Sequence, residues 1–189
     1  DFTCSFMPFR EKVHLMSAAE IDRTLIHLTH DILQKTDNLS ELALIGIRRR
    51  GVHLAHRLSD KIKLLRNHDV PVGALDIQAY RDDLNESKSK PAIIPSQIPF
   101  SLEGKDVILV DDVLFTGRSI RAALDAIFDH GRARRVRLCV LIDRGHRELP
   151  IEATFVGKRI TTETKDIVEV NLHEEDATEK VLILEPQES

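Results

Sequence analysis

The stretch Val107 to Ser119, VILVDDVLFTGRS, limits what this chain can fold into more than any other. Val107, Ile108, Leu109 and Val110 form an unbroken apolar run, the pattern of a strand buried on both faces. The pattern predicts that this strand ends at two carboxylates, Asp111 and Asp112. After a short turn, Thr116, Gly117, Arg118 and Ser119 open a helix in which Ile120, Leu124, Ile127 and Phe128 recur at helical spacing. Gly131 is placed to stop it.

This unit suits a phosphorylated sugar. Unpaired backbone N–H groups and the dipole at a helix start attract phosphate. Gly117 lets the backbone approach closely, and Thr116 and Ser119 add hydroxyl donors. Asp111 and Asp112 can accept hydrogen bonds from ribose hydroxyls. Ligands of open α/β sheets bind at the carboxyl ends of strands, where these residues lie. A polar turn in an ordinary βα unit would read the same way, and acidic pairs after apolar strands also occur in receiver domains and metal sites. Neither GxxxxGK[ST] nor a GxGxxG after a strand is present.

The remaining chain repeats the alternation. Ser17-Ala18-Ala19-Glu20 is a capping box, followed by a helix to about Lys35 with Ile21, Leu25, Leu28 and Ile32 on one stripe. Leu42 to Ile45 reads as a core strand running into Gly46-Ile47-Arg48-Arg49-Arg50-Gly51, then a helix with Val52, Ala55, Leu58 and Ile62 inward. Three arginines between two glycines at a strand-to-helix turn fit an anion-binding loop, or a plain basic turn. Val72 to Ala79 and Val136 to Ile142 read as strands, and Thr154 to Gly157, Ile167 to Leu172 and Val181 to Leu184 as shorter ones. The charged, proline-broken stretch from Tyr80 through Pro99 is expected to move, as a lid or as a mere connector. Strand and helix alternate through residue 142, which implies an α/β fold with a mostly parallel sheet flanked by helices.

Composition excludes some classes. No apolar run approaches the roughly 20 residues needed to span a bilayer, no signal peptide is evident, and Cys4 and Cys139 make neither a disulfide framework nor a metal spacing. These features point to a reducing cytoplasm. The 189 residues suit one domain over 13–189, with 1–12 set aside as a leader, native or added. The net charge of −4 is uneven: residues 163–189 hold nine acidic residues against two lysines, so residues 1–162 carry +3. The acidic end is expected to be solvated surface. The basic remainder leaves nucleic-acid binding open.

Val107–Ser119 resembles the phosphoribosyl-pyrophosphate (PRPP) motif of type I phosphoribosyltransferases. Together with Gly46–Gly51, Tyr80–Leu84 and the string DRGHRELP at Asp143–Pro150, it resembles the PyrR family of pyrimidine operon regulators, relatives of uracil phosphoribosyltransferases. The resemblance runs from about Val13 to Glu185. It implies a type I phosphoribosyltransferase fold with a flexible hood loop. It also implies transfer from PRPP to uracil, giving UMP and pyrophosphate, with Mg²⁺ carried by PRPP rather than by a protein cage. UMP-stimulated binding to pyrimidine-operon leader RNA is the second implied activity, in a homo-oligomer of two or more copies.

By the same resemblance Asp111 and Asp112 hold the ribose as the catalytic pair. Val113, Leu114, Phe115, Thr116, Gly117, Arg118 and Ser119 hold the 5′-phosphate, and Arg49, Arg50 and Arg81 the pyrophosphate. Arg144 and the backbone near Val168 are assigned to the base pocket. Arg49 stands where relatives often carry a small hydroxyl residue. Arg147, inside the family-specific string, and Lys158 and Arg159, which follow it, are surplus to the transfer chemistry, so with His30 they are assigned to RNA. Reversing Arg147 and Lys158 is expected to spare turnover. A salvage enzyme without RNA regulation, and an RNA-binding UMP sensor with negligible catalysis, remain alternatives.

Overall fold

The computed structural model describes residues 8–81 and 96–187. Most of the expected lid, with Asp82 to Pro95, lies outside them, as do Cys4 and the first half of the leader.

Chain order is β1 (Phe9–Ser17), α1 (Ala18–Gln34), β2 (Leu42–Ile47), α2 (Arg50–Arg66), β3 (Val72–Leu75), β4 (Asp106–Leu114), α3 (Arg118–His130), β5 (Arg135–Asp143), β6 (Phe155–Arg159), β7 (Ile167–Asn171) and β8 (Lys180–Pro186). Five parallel strands form the main sheet in the order β3-β2-β4-β5-β6, so β4 sits at its centre. Alternation along β4 explains its continuous apolar run. Ile108 and Val110 pack with Ile21, Leu25, Leu54 and Leu58 of α1 and α2. Val107 and Leu109 pack with Ile120, Ala123 and Ile127 of α3. Each fully buried Leu or Ile of these faces contributes about 1.5–3 kcal/mol.

Local signals in the sequence are realised where they are self-contained. In the capping box, Glu20 N donates to Ser17 Oγ at 3.3 Å and Ser17 N donates to Glu20 Oε2 at 2.7 Å. Gly131 follows the last turn of α3. The strand from Val72 is shorter than expected. It stops at Leu75, and Gln78–Tyr80 form a 3₁₀ turn whose Tyr80 hydroxyl donates to Asp129 at 2.6 Å.

A second sheet has the order β1-β8-β7, with antiparallel pairing. The boundary expected after Lys12 falls inside β1: Phe9, Arg10 and Glu11 pair with Pro186, Glu185 and Leu184. β1 escapes sequence reading because most of its side chains are exposed and its one partner strand lies at the other end of the chain.

Candidate active site

The carboxyl ends of β2, β4 and β5 form one rim of the parallel sheet, and the site is built there. The acidic pair does not end β4. Asp111 pairs with Val140 and the ladder resumes at Val113 and Ile142. Asp111 Oδ1 accepts from Asp112 N at 2.9 Å, and Asp112 Oδ1 accepts from Val113 N at 2.8 Å. Asp111 is buried. Burial first, and then the neighbouring charge of Asp112, push its carboxyl well above the usual carboxylate range, against the opposing pull of the Asp112 N–H and Arg81.

The arginine loop lies against this pair because two glycines let backbones touch. A Cβ on Gly51 would come within 2.4 Å of the Val110 carbonyl oxygen and 3.2 Å of Asp111 Cα. Arg49 caps α2 with its side chain 73% exposed, and the peptide before it is cis. Arg50 is half-buried against Asp176, and the hydrogen bonds of Asp176, with the charges of Asp112 and Glu175 adding to them, hold its guanidinium in the charged form.

Beyond Leu114 the chain turns into α3. Gly117 takes φ +93°, a conformation L side chains avoid, and a Cβ there would also press Ile151 at 3.3 Å. The turn and the first residues of α3 enclose a cavity of about 280 Å³ lined by Arg81, Val113 to Ile120 and Glu148. Thr116 Oγ1 accepts from Arg118 N at 3.3 Å, and Arg118 Nε donates to Glu148 Oε2 at 2.6 Å. Seven expected phosphate residues and Arg81 therefore share one cavity.

The charged string after β5 is stitched to this turn. Glu148 N donates to the Thr116 carbonyl at 2.9 Å and Arg144 N to the Leu114 carbonyl at 3.1 Å. Arg147, assigned above to RNA, is engaged within the loop. It grips both Asp143 carboxylate oxygens at 2.7 Å and donates to the carbonyls of Ile151 and Phe115 at 2.9 Å. Arg144 is also committed: it is buried, donates to the carbonyls of Asp166 and Glu163 at 2.8 and 2.9 Å, and stacks 4.0 Å from the centre of the Phe115 ring. Its guanidinium braces the loop that carries Thr162, Glu163 and Asp166. Val168 lies half-buried on β7, which touches β4.

Among expected RNA residues, Lys158 and Arg159 are exposed at the carboxyl end of β6, where Arg159 pairs across from Asp143. His30 is exposed on α1, ten residues or about 15 Å of helix rise beyond Glu20.

Comparison with known proteins decides the family. The phosphoribosyl transferase domain matches residues 17–177. A protein named Bifunctional protein PyrR from Pelotomaculum thermopropionicum is 50% identical over 95% of this chain and 99% of its own length. A namesake from Thermus aquaticus is 48% identical over 94% and 98%. The chain belongs to the PyrR family. Solved structures agree on the type I phosphoribosyltransferase fold. A hypoxanthine-guanine phosphoribosyltransferase from Bacillus anthracis has a TM-score of 0.69 at 20% identity, covering 94% of this chain and 99% of its own. The Trypanosoma cruzi hypoxanthine phosphoribosyltransferase in complex with IMP has 0.72 at 17%, covering 93% and 95%.

Within this PyrR-family chain, sequence reasoning missed three contributors. Glu148 lines the cavity at the Gly117 turn, Asp143 holds Arg147, and Asp176 holds Arg50. The string DRGHRELP signalled the first two as special without giving their roles. Nothing local signalled Asp176. The acidic end expected to be solvated instead pairs with α2: Glu174 and Glu179 with Arg57, Glu175 with His53 and Arg49, and Asp176 with Arg50.

Proposed function

We propose that one nucleotide site at the carboxyl end of β4 serves two activities. The chain is a uracil phosphoribosyltransferase and a regulator, as its family membership gives it. In the first activity the C1–oxygen bond of PRPP breaks as a bond to N1 of uracil forms. Pyrophosphate leaves with the electron pair and the N1 proton is released. The ribose passes through an oxocarbenium-like state, so positioning and electrostatics carry the rate. Asp111 and Asp112 hold the ribose hydroxyls and face the developing positive charge. The N–H groups from Gly117 to Ser119 with the Thr116 and Ser119 hydroxyls bind the 5′-phosphate. Arg49, Arg50 and Arg81 take the pyrophosphate. Magnesium, a hard cation carried by PRPP rather than held by protein side chains, would supply charge neutralisation to the departing pyrophosphate. Val168 contributes backbone to the base pocket, and Arg144 supports that pocket from behind.

In the second activity the UMP-bound protein binds pyrimidine-operon leader RNA and attenuates transcription. Lys158 and Arg159 meet RNA phosphates, with His30 further along α1. Arg147 supports that edge by fixing the loop beside it. The observation that carries the reading is the convergence of acidic pair, arginine loop and Gly117 turn on one rim, in a chain matching its relatives over nearly its full length. The test pairs a turnover assay with uracil and PRPP with a leader-RNA titration with and without UMP. Turnover with RNA affinity that rises on adding UMP is expected. Turnover with no RNA binding would reduce the protein to a salvage enzyme.

A further inference from the structure

The segment from Leu172 to Lys180, between β7 and β8, concentrates carboxylates against one face of α2. Positions 49, 50, 53 and 57 follow the helical repeat and point the same way. Arg57 anchors the segment, donating to Glu174 Oε1 and Oε2 at 2.8 and 2.7 Å and pairing with Glu179. His53 Nε2 lies 2.7 Å from Glu175 Oε1. Arg49 meets Glu175 only at 3.7 Å and stays largely exposed.

Arg50 is held differently. Its Nε donates to Asp176 Oδ2 at 3.2 Å and its Nη2 to Oδ1 at 2.8 Å, a two-point fork that fixes the guanidinium plane. Asp176 is itself fixed. Its Oδ2 accepts from Leu172 N at 2.9 Å, and its own N–H donates to the Leu172 carbonyl at 2.7 Å. A guanidinium gripped along its Nε–Nη2 edge keeps the Nη1 edge for an anion. The next residue, Gly51, lies with its backbone against Val110 and Asp111, which brings the start of α2 beside the acidic pair.

The geometry points to Asp176 as the positioning residue for Arg50 toward the pyrophosphate group of PRPP. This rests on reading Arg50 as a pyrophosphate ligand. Asp176 touches no substrate. It acts by removing the rotational freedom that binding would otherwise have to remove. The nearby negative charge opposes pyrophosphate, and the fixed fork outweighs that opposition.

The test uses the full chain, steady-state kinetics with PRPP and uracil, and thermal melts. Asp176→Asn is expected to raise KM for PRPP about tenfold, the scale of one charge-assisted bond removed. It should leave kcat within about twofold, since chemistry at C1 is untouched, and KM for uracil unchanged. Asp176→Glu should fall between wild type and Asp176→Asn. Arg50→Gln should raise KM for PRPP, and adding Asp176→Asn to it should raise KM no further. An unchanged or lowered KM for PRPP in Asp176→Asn overturns the inference, as do effects of the two substitutions that multiply. A wild-type KM in Arg50→Gln overturns the pyrophosphate reading and the inference together, whereas a raised KM there beside an unaffected Asp176→Asn overturns the inference alone. If Asp176→Asn does not fold, Asp176→Glu carries the same test: a raised KM for PRPP, unmoved kcat, and no further rise on Arg50→Gln.

Discussion

Asp111 sits inside the core with a second carboxylate beside it, and this makes it costly to ionise. Its folded pKa lies well above the ordinary 3.8, so between those values the folded state binds a proton that the unfolded chain has lost. Stability therefore falls as pH rises through that window. Asp111→Asn removes the cost. Urea melts should show the variant gaining on wild type as pH rises from about 3.8 through the elevated value, and a constant difference would contradict the buried charge. For activity, Asp112→Asn loses a charge-assisted bond to ribose worth roughly 1.5–3 kcal/mol, which corresponds to a roughly 10- to 150-fold lower kcat/KM for PRPP. The Asp111→Asn deficit should grow as pH rises, because the raised pKa makes the wild-type carboxyl gain its charge later than an ordinary aspartate. Wild-type kcat/KM in Asp112→Asn would remove the pair from the site.

The β5–β6 connection shows how an element can be misread when only its charges are visible. In sequence the string Asp143–Pro150 gives its two arginines to ligands, Arg144 to the base pocket and Arg147 to RNA. In the fold, Arg147 ties Asp143 to the carbonyls of Phe115 and Ile151, and His146 Nε2 lies 2.7 Å from the Thr162 carbonyl oxygen. Reversing Arg147 would leave Asp143 facing a second carboxylate and would release the phosphate turn. Arg147→Gln is expected to lower unfolding stability by about 2–4 kcal/mol in denaturant melts. Its affinity for UMP should weaken as well, measured by calorimetry. Unchanged stability and UMP affinity would return Arg147 to the exposed group that Lys158 and Arg159 form.

At the scale of the whole molecule, the two ends of the parallel sheet do different work. At the amino end Asp106, buried beneath the strands, is gripped by Arg135 at 2.6 Å and Arg137 at 2.8 Å, which closes that end with structural ion pairs. The carboxyl end holds the acidic pair and, across Asp143, the basic edge of β6. Under the proposed function, this proximity would let the nucleotide site and the RNA edge influence each other. Lys158→Glu with Arg159→Glu should weaken leader-RNA binding and flatten its log–log salt slope by roughly 0.7–0.9 for each RNA phosphate no longer neutralised, while uracil turnover stays near wild type. UMP should tighten RNA binding by about 5- to 150-fold, and RNA should tighten UMP equally. A filter-binding titration over a salt series reads both. An unchanged RNA affinity in the variant would move the RNA surface elsewhere.

What the sequence determined was whatever its physics kept local. The run Val107–Val110 announced a doubly covered strand because every side chain in it needs burial. Ser17 and Glu20 announced a helix start because both bonds of a capping box close within four residues. Thr116–Ser119 announced the turn into α3, because Gly117 supplies the left-handed conformation that starts it. Tertiary structure alone decided where opposite charges met. Asp176 stands 126 residues from Arg50, and Glu185 stands 175 from Arg10. An ion pair leaves no periodicity and no spacing in sequence, since either partner alone reads as a solvated charge. The same holds for β1, whose ladder partner is a strand at the far end of the chain.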